Sequence, residues 1–192
     1  MIDYKNDICV VILTGGRSSR MGGGIKSLKK FNNKYIFDRI FEKISIQTDN
    51  IIININKDKN LLYAYKKPIF EDNIKGHLGP LAGIHAAMLY IEKKMPAINW
   101  LITVPGDTPF IPNNLIERLY KSARKNNKKI VMAESNYKVH PTIGIWNIQL
   151  LKSLEKSLKN GERKIILWAK KHELGYENFK QNHYDPFLTL QL

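Results

Sequence analysis

The sequence predicts a three-layer α/β/α, Rossmann-like fold around a central, mostly parallel mixed sheet. Three observations carry this prediction. An unbroken apolar run, Ile8 to Leu13, passes straight into Thr14-Gly15-Gly16, as a strand buried on both faces does when it ends in a loop. A β-branched run, Ile51 to Ile55, follows a helical stretch at about the ~30-residue length of a βαβ unit. A third buried run, Asn99 to Val104, is stopped by Pro105-Gly106-Asp107-Thr108-Pro109. Strands that alternate with helices in this way form a sheet covered on both faces.

Composition narrows the class. The 192 residues fit one domain, 1–192, and 43% hydrophobic with 10% aromatic residues is globular rather than disordered. The lone Cys9 sits inside the first apolar run, which rules out a disulfide framework and suits a reducing, cytoplasmic setting. MIDYKND lacks the apolar core of a signal peptide, and no stretch is long enough to span a bilayer. A net charge of +14 makes nucleic-acid binding an alternative. The lysines are spread along the chain, however, and no helix-turn-helix, zinc-finger or aromatic–basic signature occurs. No specific nucleic acid and no membrane is expected, and the chain is expected to act as a monomer.

The loop after the first strand holds five glycines between Gly15 and Gly24 together with Arg17, Arg20 and Lys26. Small residues let backbone N–H groups approach a ligand, and fixed cations complete a cradle for a di- or triphosphate. It is not a Walker A loop, because Ile25 separates Gly24 from Lys26. The spacing G-x-G-x-x-G is also missing after Leu13.

Further along, Phe37, Ile40, Phe41 and Ile44 recur at helical spacing within Tyr35 to Ser45. Asn54 and Asn56 stand where the second strand ends, and the short run Pro68-Ile69-Phe70 leads to Glu71-Asp72. Pro80 is placed to open a helix that runs to Lys94, with Gly79 and Gly83 leaving its N-terminus open to anions or polar ligand edges. Asp107 lies beyond the carboxyl end of a central strand, where open parallel sheets carry their ligands. A carboxylate facing a cationic loop suits Mg²⁺ bridging protein and phosphates; the competing assignment is an Asx turn or helix cap. A helix is expected over Pro112 to Asn126 and a strand over Lys129 to Glu134. His140 to Trp146 reads as a strand with a loop at its start, and helices are expected over Asn147 to Leu158 and Glu162 to His172. Phe187 to Leu190 is a candidate edge strand. His77, His85 and His140 are candidate ligand contacts, with a loop or core role the simpler assignment for each. No Ser-His-Asp or Cys-His arrangement stands out.

Four segments in this order, GGRSSRMGGGIKSL, EDNIKGHLGPLAGIHAAM, LITVPGDTPFIP and HPTIGIW, resemble the molybdenum cofactor guanylyltransferases, a branch of the nucleotidyltransferase superfamily. The resemblance runs from about Val10 to Trp168 and implies a nucleotidyltransferase fold and transfer of GMP from GTP to molybdopterin. It implies that Leu13, Thr14, Gly15 and Gly16 line the nucleotide, that Arg20 and Lys26 hold its phosphates, and that Asn54 and Asp72 contact it. Asp107 would bind Mg²⁺. Gly79, Pro80, Leu81 and Gly83, with His140, Pro141 and Thr142, would form the pterin side. Molybdenum cofactor-handling proteins are the implied receivers of the product. Ile25 departs from the pattern, which carries an aspartate before the loop lysine, and FLTLQL stands where the family has Asn-x-Asn-Thr-Pro-x-Glu-Leu. Related reactions, with CTP or with a sugar-phosphate acceptor, stay open at this level.

Overall fold

The computed structural model describes residues 4–14, 26–74, 79–179 and 185–189. A seven-stranded sheet forms its centre. In chain order its strands are β1 (Ile8–Leu13), β4 (Ile51–Asn54), β5 (Ile69–Phe70), β6 (Trp100–Pro105), β7 (Ile130–Ser135), β8 (Lys138–Asn147) and β9 (Leu174–Asn178). Two further strands, β2 (Lys30–Phe31) and β3 (Lys34–Tyr35), make a separate small hairpin. The helices are α1 (Ile36–Ser45), α2 (Pro80–Lys94), α3 (Leu115–Lys125), α4 (Leu151–Lys159) and α5 (Ile165–Ala169).

β1 shows why the sheet is sandwiched. Its residues alternate between two apolar clusters: Ile8, Val10 and Ile12 pack with α1 and α3, while Cys9, Val11 and Leu13 pack with α2, α4 and α5. A strand apolar on both faces is stable only with helices on each side, and burial of each such side chain stabilises by roughly 1.5–3 kcal/mol.

The strand order is β5-β4-β1-β6-β8-β7-β9. β1 pairs in parallel with β4 on one side and β6 on the other, so the chain reverses its direction of travel across the sheet at β1. Reversals of this kind open a crevice at the carboxyl ends of the strands. β8 is antiparallel to both β6 and β7, which makes the sheet mixed. At the far edge β9 runs parallel to β7. Arg118 of α3 fixes it there: its guanidinium pairs with Glu177, donates to Asn178 O and lies over the Phe179 ring.

Three expectations are corrected. The strand expected from His140, with a loop at its start, begins earlier, at Lys138, so that His140, Pro141 and Thr142 all lie within β8; the turn before it is at Asn136-Tyr137, where both φ angles are positive. The expected edge strand at Phe187 is a turn over its described residues, because Asp185 Oδ1 accepts from Phe187 N and folds the chain back; the edge strand is Leu174–Asn178. The helix expected over Glu162 to His172 shrinks to Ile165–Ala169, its start held off by Glu162, whose carboxylate accepts from Arg163 N and Lys164 N.

Candidate active site

The carboxyl edge at the switch point is built by backbone first. Leu13 is level with Asn54 of β4 and with Pro105 of β6. Thr14 N and Thr14 Oγ1 both donate to Asn54 O, at 3.0 and 2.7 Å. Gly106 N donates to Leu13 O at 2.8 Å. Leu13, Thr14, Asn54 and Gly106 are therefore tied together at the foot of the loop that begins at Gly15.

Above them sits Asp72. Asn54 Nδ2 donates to its Oδ1 (3.0 Å) and Asn56 Nδ2 to its Oδ2 (2.8 Å), while Asp72 N donates back to Asn56 Oδ1 (2.9 Å). A carboxylate gripped on both oxygens is held in one rotamer and keeps spare lone pairs for a ligand's N–H groups. Each such bond to a charged group is worth about 1.5–3 kcal/mol. Asn56 is a member of this network that residue patterning placed only at a strand end.

The first turn of α2 covers the same spot. Gly79 caps it with φ +69° and offers no side chain to its first N–H groups, and Pro80 takes the first helical position. Leu81 is buried against the sheet. Gly83 touches the network directly: a Cβ there would lie 2.8 Å from Asn54 Oδ1 and 2.9 Å from Leu13 Cδ2. The glycine is what lets α2 descend onto the strand ends.

Asp107 follows β6 on the same edge and is half-buried. Among the described residues no group of three or more His, Cys, Asp or Glu gathers that would hold a metal ion unaided. A single carboxylate from the protein suits a hard cation that takes other ligands from phosphate oxygens and water, as Mg²⁺ does. Close by, Ser27 Oγ is buried with no hydrogen-bond partner among the described residues, beside Gly106 and Thr14. Gly15, Gly16 and Arg20 lie outside the described residues, as do His77 and the side chain of Lys26; the backbone of Lys26 begins a 3₁₀ turn, Lys26–Leu28.

On the other side of Asp107 the sheet splits. The ladder between β6 and β8 ends at Thr103 and Gly144, yet β6 continues beside β1 to Pro105. β8 continues to Lys138 against β7 alone, with an irregularity in its pairing that leaves Pro141, Thr142 and Ile143 unpaired. His140, Pro141 and Thr142, all half-buried, thus border an opening between β8 and the end of β6.

Cys9 and His85 are core groups. Cys9 is fully buried, and burial pushes its thiol up to about 12, far from a thiolate nucleophile. His85 is buried on α2, which packs on α4, and neither ring nitrogen has a hydrogen-bond partner among the described residues. Burial, with Lys159 assisting and Glu155 and Asp72 opposing, holds its pKa below the ordinary value.

Residues 10–174 match the model of the MobA-like NTP transferase domain. The chain belongs to the MobA-like NTP transferase family. Its relatives agree. A molybdenum cofactor guanylyltransferase of Nitrobacter hamburgensis is 32% identical over 93% of this chain and 86% of its own. One of Yersinia pestis is 34% identical over 84% of this chain and 80% of its own. In fold, the chain is similar to the molybdopterin-guanine dinucleotide biosynthesis protein A of Archaeoglobus fulgidus, with a TM-score of 0.71 at 23% identity over 88% and 82% of the two chains. The family match and these relatives make the chain an enzyme of the nucleotidyltransferase class. Among the described residues no helix is long and apolar enough to cross a membrane.

Proposed function

We propose that this enzyme transfers GMP from GTP to the terminal phosphate of molybdopterin, releasing pyrophosphate and forming molybdopterin guanine dinucleotide. The observation that carries the reading is the convergence of Leu13, Asn54, Asp72 and Asp107 on one edge of the sheet at the switch point, in a chain whose relatives are molybdenum cofactor guanylyltransferases.

Leu13, Thr14, Gly15 and Gly16 line the base and ribose. Asp72, steadied by Asn54 and Asn56, accepts from the donor edge of guanine, which presents an N–H beside an NH₂ and suits a carboxylate. Gly79, Pro80, Leu81 and Gly83 close this side with the open N-terminus of α2. Arg20 and Lys26 hold the triphosphate and stabilise the charge that collects on the leaving pyrophosphate. Asp107 would hold Mg²⁺, which would supply charge neutralisation at the reacting phosphorus. His140, Pro141 and Thr142 border the acceptor.

A phosphate oxygen of molybdopterin bonds to the α-phosphorus while the bond from that phosphorus to the bridging oxygen of the β-phosphate breaks. The nucleophile is already anionic, so no general base is needed and the protein's part is alignment. Pyrophosphate release from GTP is therefore expected only with both molybdopterin and Mg²⁺ present, and Asp107→Ala abolishes it. Unchanged turnover in that variant would remove Asp107 from the metal. In a thermal-shift panel of GTP, CTP, ATP and UTP, GTP gives the largest rise; a larger rise with CTP overturns the choice of base.

A further inference from the structure

Beside the opening between β6 and β8 lies a Ser, His and Asp cluster that the proposed chemistry does not use. Ser135 Oγ donates to Asp185 Oδ1 at 2.6 Å and lies 2.7 Å from His140 Nε2. Asp185 Oδ1 also accepts from Phe187 N at 2.9 Å. The His140 ring packs on the Phe187 ring with centroids 4.9 Å apart, and Phe187 packs in turn on Phe179 at 5.3 Å.

Its connectivity excludes nucleophilic catalysis. In a hydrolytic triad histidine stands between serine and carboxylate; here serine stands between the other two, and it is fully buried. Ser135 has one proton and gives it to Asp185, so His140 Nε2 must carry a hydrogen and donate to Ser135 Oγ. The cluster is a link rather than a reactive centre. It joins the segment 185–188 to the paired end of β7 and start of β8, where Ser135 is level with Lys138 and Ala133 with His140.

Position gives the link its use. β8 lacks β6 as a neighbour beyond Gly144, and its irregular stretch lacks β7 as well. Pro141 and Thr142, next to the last residue paired with β7, would be poorly held without another support, and the Ser135–Asp185 bond with the His140–Phe187 contact supplies one. We propose that Ser135, His140 and Asp185 form a clasp that fixes β8 and residues 185–188 as one wall of the acceptor slot, making Ser135 and Asp185 positioning residues for the phosphorylated pterin. This rests on the guanylyl-transfer reading given above.

The test uses the full chain with Ser135→Ala. Amide hydrogen exchange at Phe187 and Leu188 accelerates about tenfold or more. The KM for molybdopterin rises by about tenfold, the effect of one lost hydrogen bond, with a smaller change in kcat and none in the KM for GTP. Asp185→Asn keeps an oxygen for both donors and holds the acceptor KM near the parent value, whereas Asp185→Ala does not. If Ser135→Ala fails to fold, Asp185→Ala breaks the same link and carries the same expectation. Unchanged exchange overturns the clasp, and faster exchange with an unchanged acceptor KM overturns its positioning role. A parent chain that is stabilised by GTP but never turns over molybdopterin overturns the guanylyl-transfer reading, and the positioning role with it, while the exchange measurement still decides the clasp.

Discussion

A methyl group added at Gly83 would press on Asn54 Oδ1 and Leu13 Cδ2 at 2.8 and 2.9 Å, two atoms held by the β1–β4 ladder. Gly83→Ala is expected to cost about 1–3 kcal/mol in urea unfolding, the range for overpacking a filled site, and to abolish the thermal shift given by GTP. Asn56 tests the same network from its exposed side. Asn56→Ala removes one of the two amide donors to Asp72, so GTP affinity should fall about tenfold while stability changes by less than about 1 kcal/mol; equal losses in both would make Asn56 a structural residue only. At this scale the sequence told part of the story. Leu13, Asn54 and Asp72 were visible as residues at strand ends. Their mutual bonding was not, because Asn54 and Asp72 are 18 residues apart and only the parallel register of β4 and β5 brings them together. Ser135 was hidden for the same reason: its partner Asp185 is 50 residues away, just ahead of the stretch Phe187 to Leu190 whose pattern suggested a strand.

Among the elements, β1 and α2 have the bounds that the residue pattern predicts, since each is marked by a strong apolar run and a sharp stop or start. The two hairpins had weaker marks. Asn32-Asn33 and Asn136-Tyr137 both adopt positive φ, the backbone that two-residue turns of type I′ require. Asparagine tolerates it and tyrosine does not, and Tyr137 is 98% exposed, with no packing to compensate. Tyr137→Gly converts the turn to Asn-Gly and should stabilise by about 1 kcal/mol, raising Tm by about 2–4 °C. A lower Tm would mean that the tyrosine makes a contact the turn needs. β9 escaped notice because Leu174–Asn178 has neither a buried run nor clear alternation. Its place is decided by pairing with β7 and by Arg118, both long-range effects that a local pattern does not record.

For the molecule as a whole, three histidines share one sign. Burial holds His85, His140 and His172 below the ordinary value of 6.5. The unfolded chain then takes up protons that the folded chain resists, so stability is full above 6.5 and falls as pH drops below it. The urea midpoint should therefore rise between about pH 5.5 and about pH 7.5. His85→Leu flattens this rise, since it removes two unbonded ring nitrogens from an apolar interface; an unaltered pH profile would assign the effect to the other two. The order of the sheet has a consequence for synthesis as well. β1, an interior strand, has its two neighbours roughly 40 and 90 residues downstream. At about 5–20 residues per second on the ribosome, the run ICVVIL waits on the order of 5–20 s for its second partner. During that interval six apolar residues have an open edge, so the nascent chain is a natural client for a holdase, and expression in cells depleted of one should yield aggregate before full-length protein.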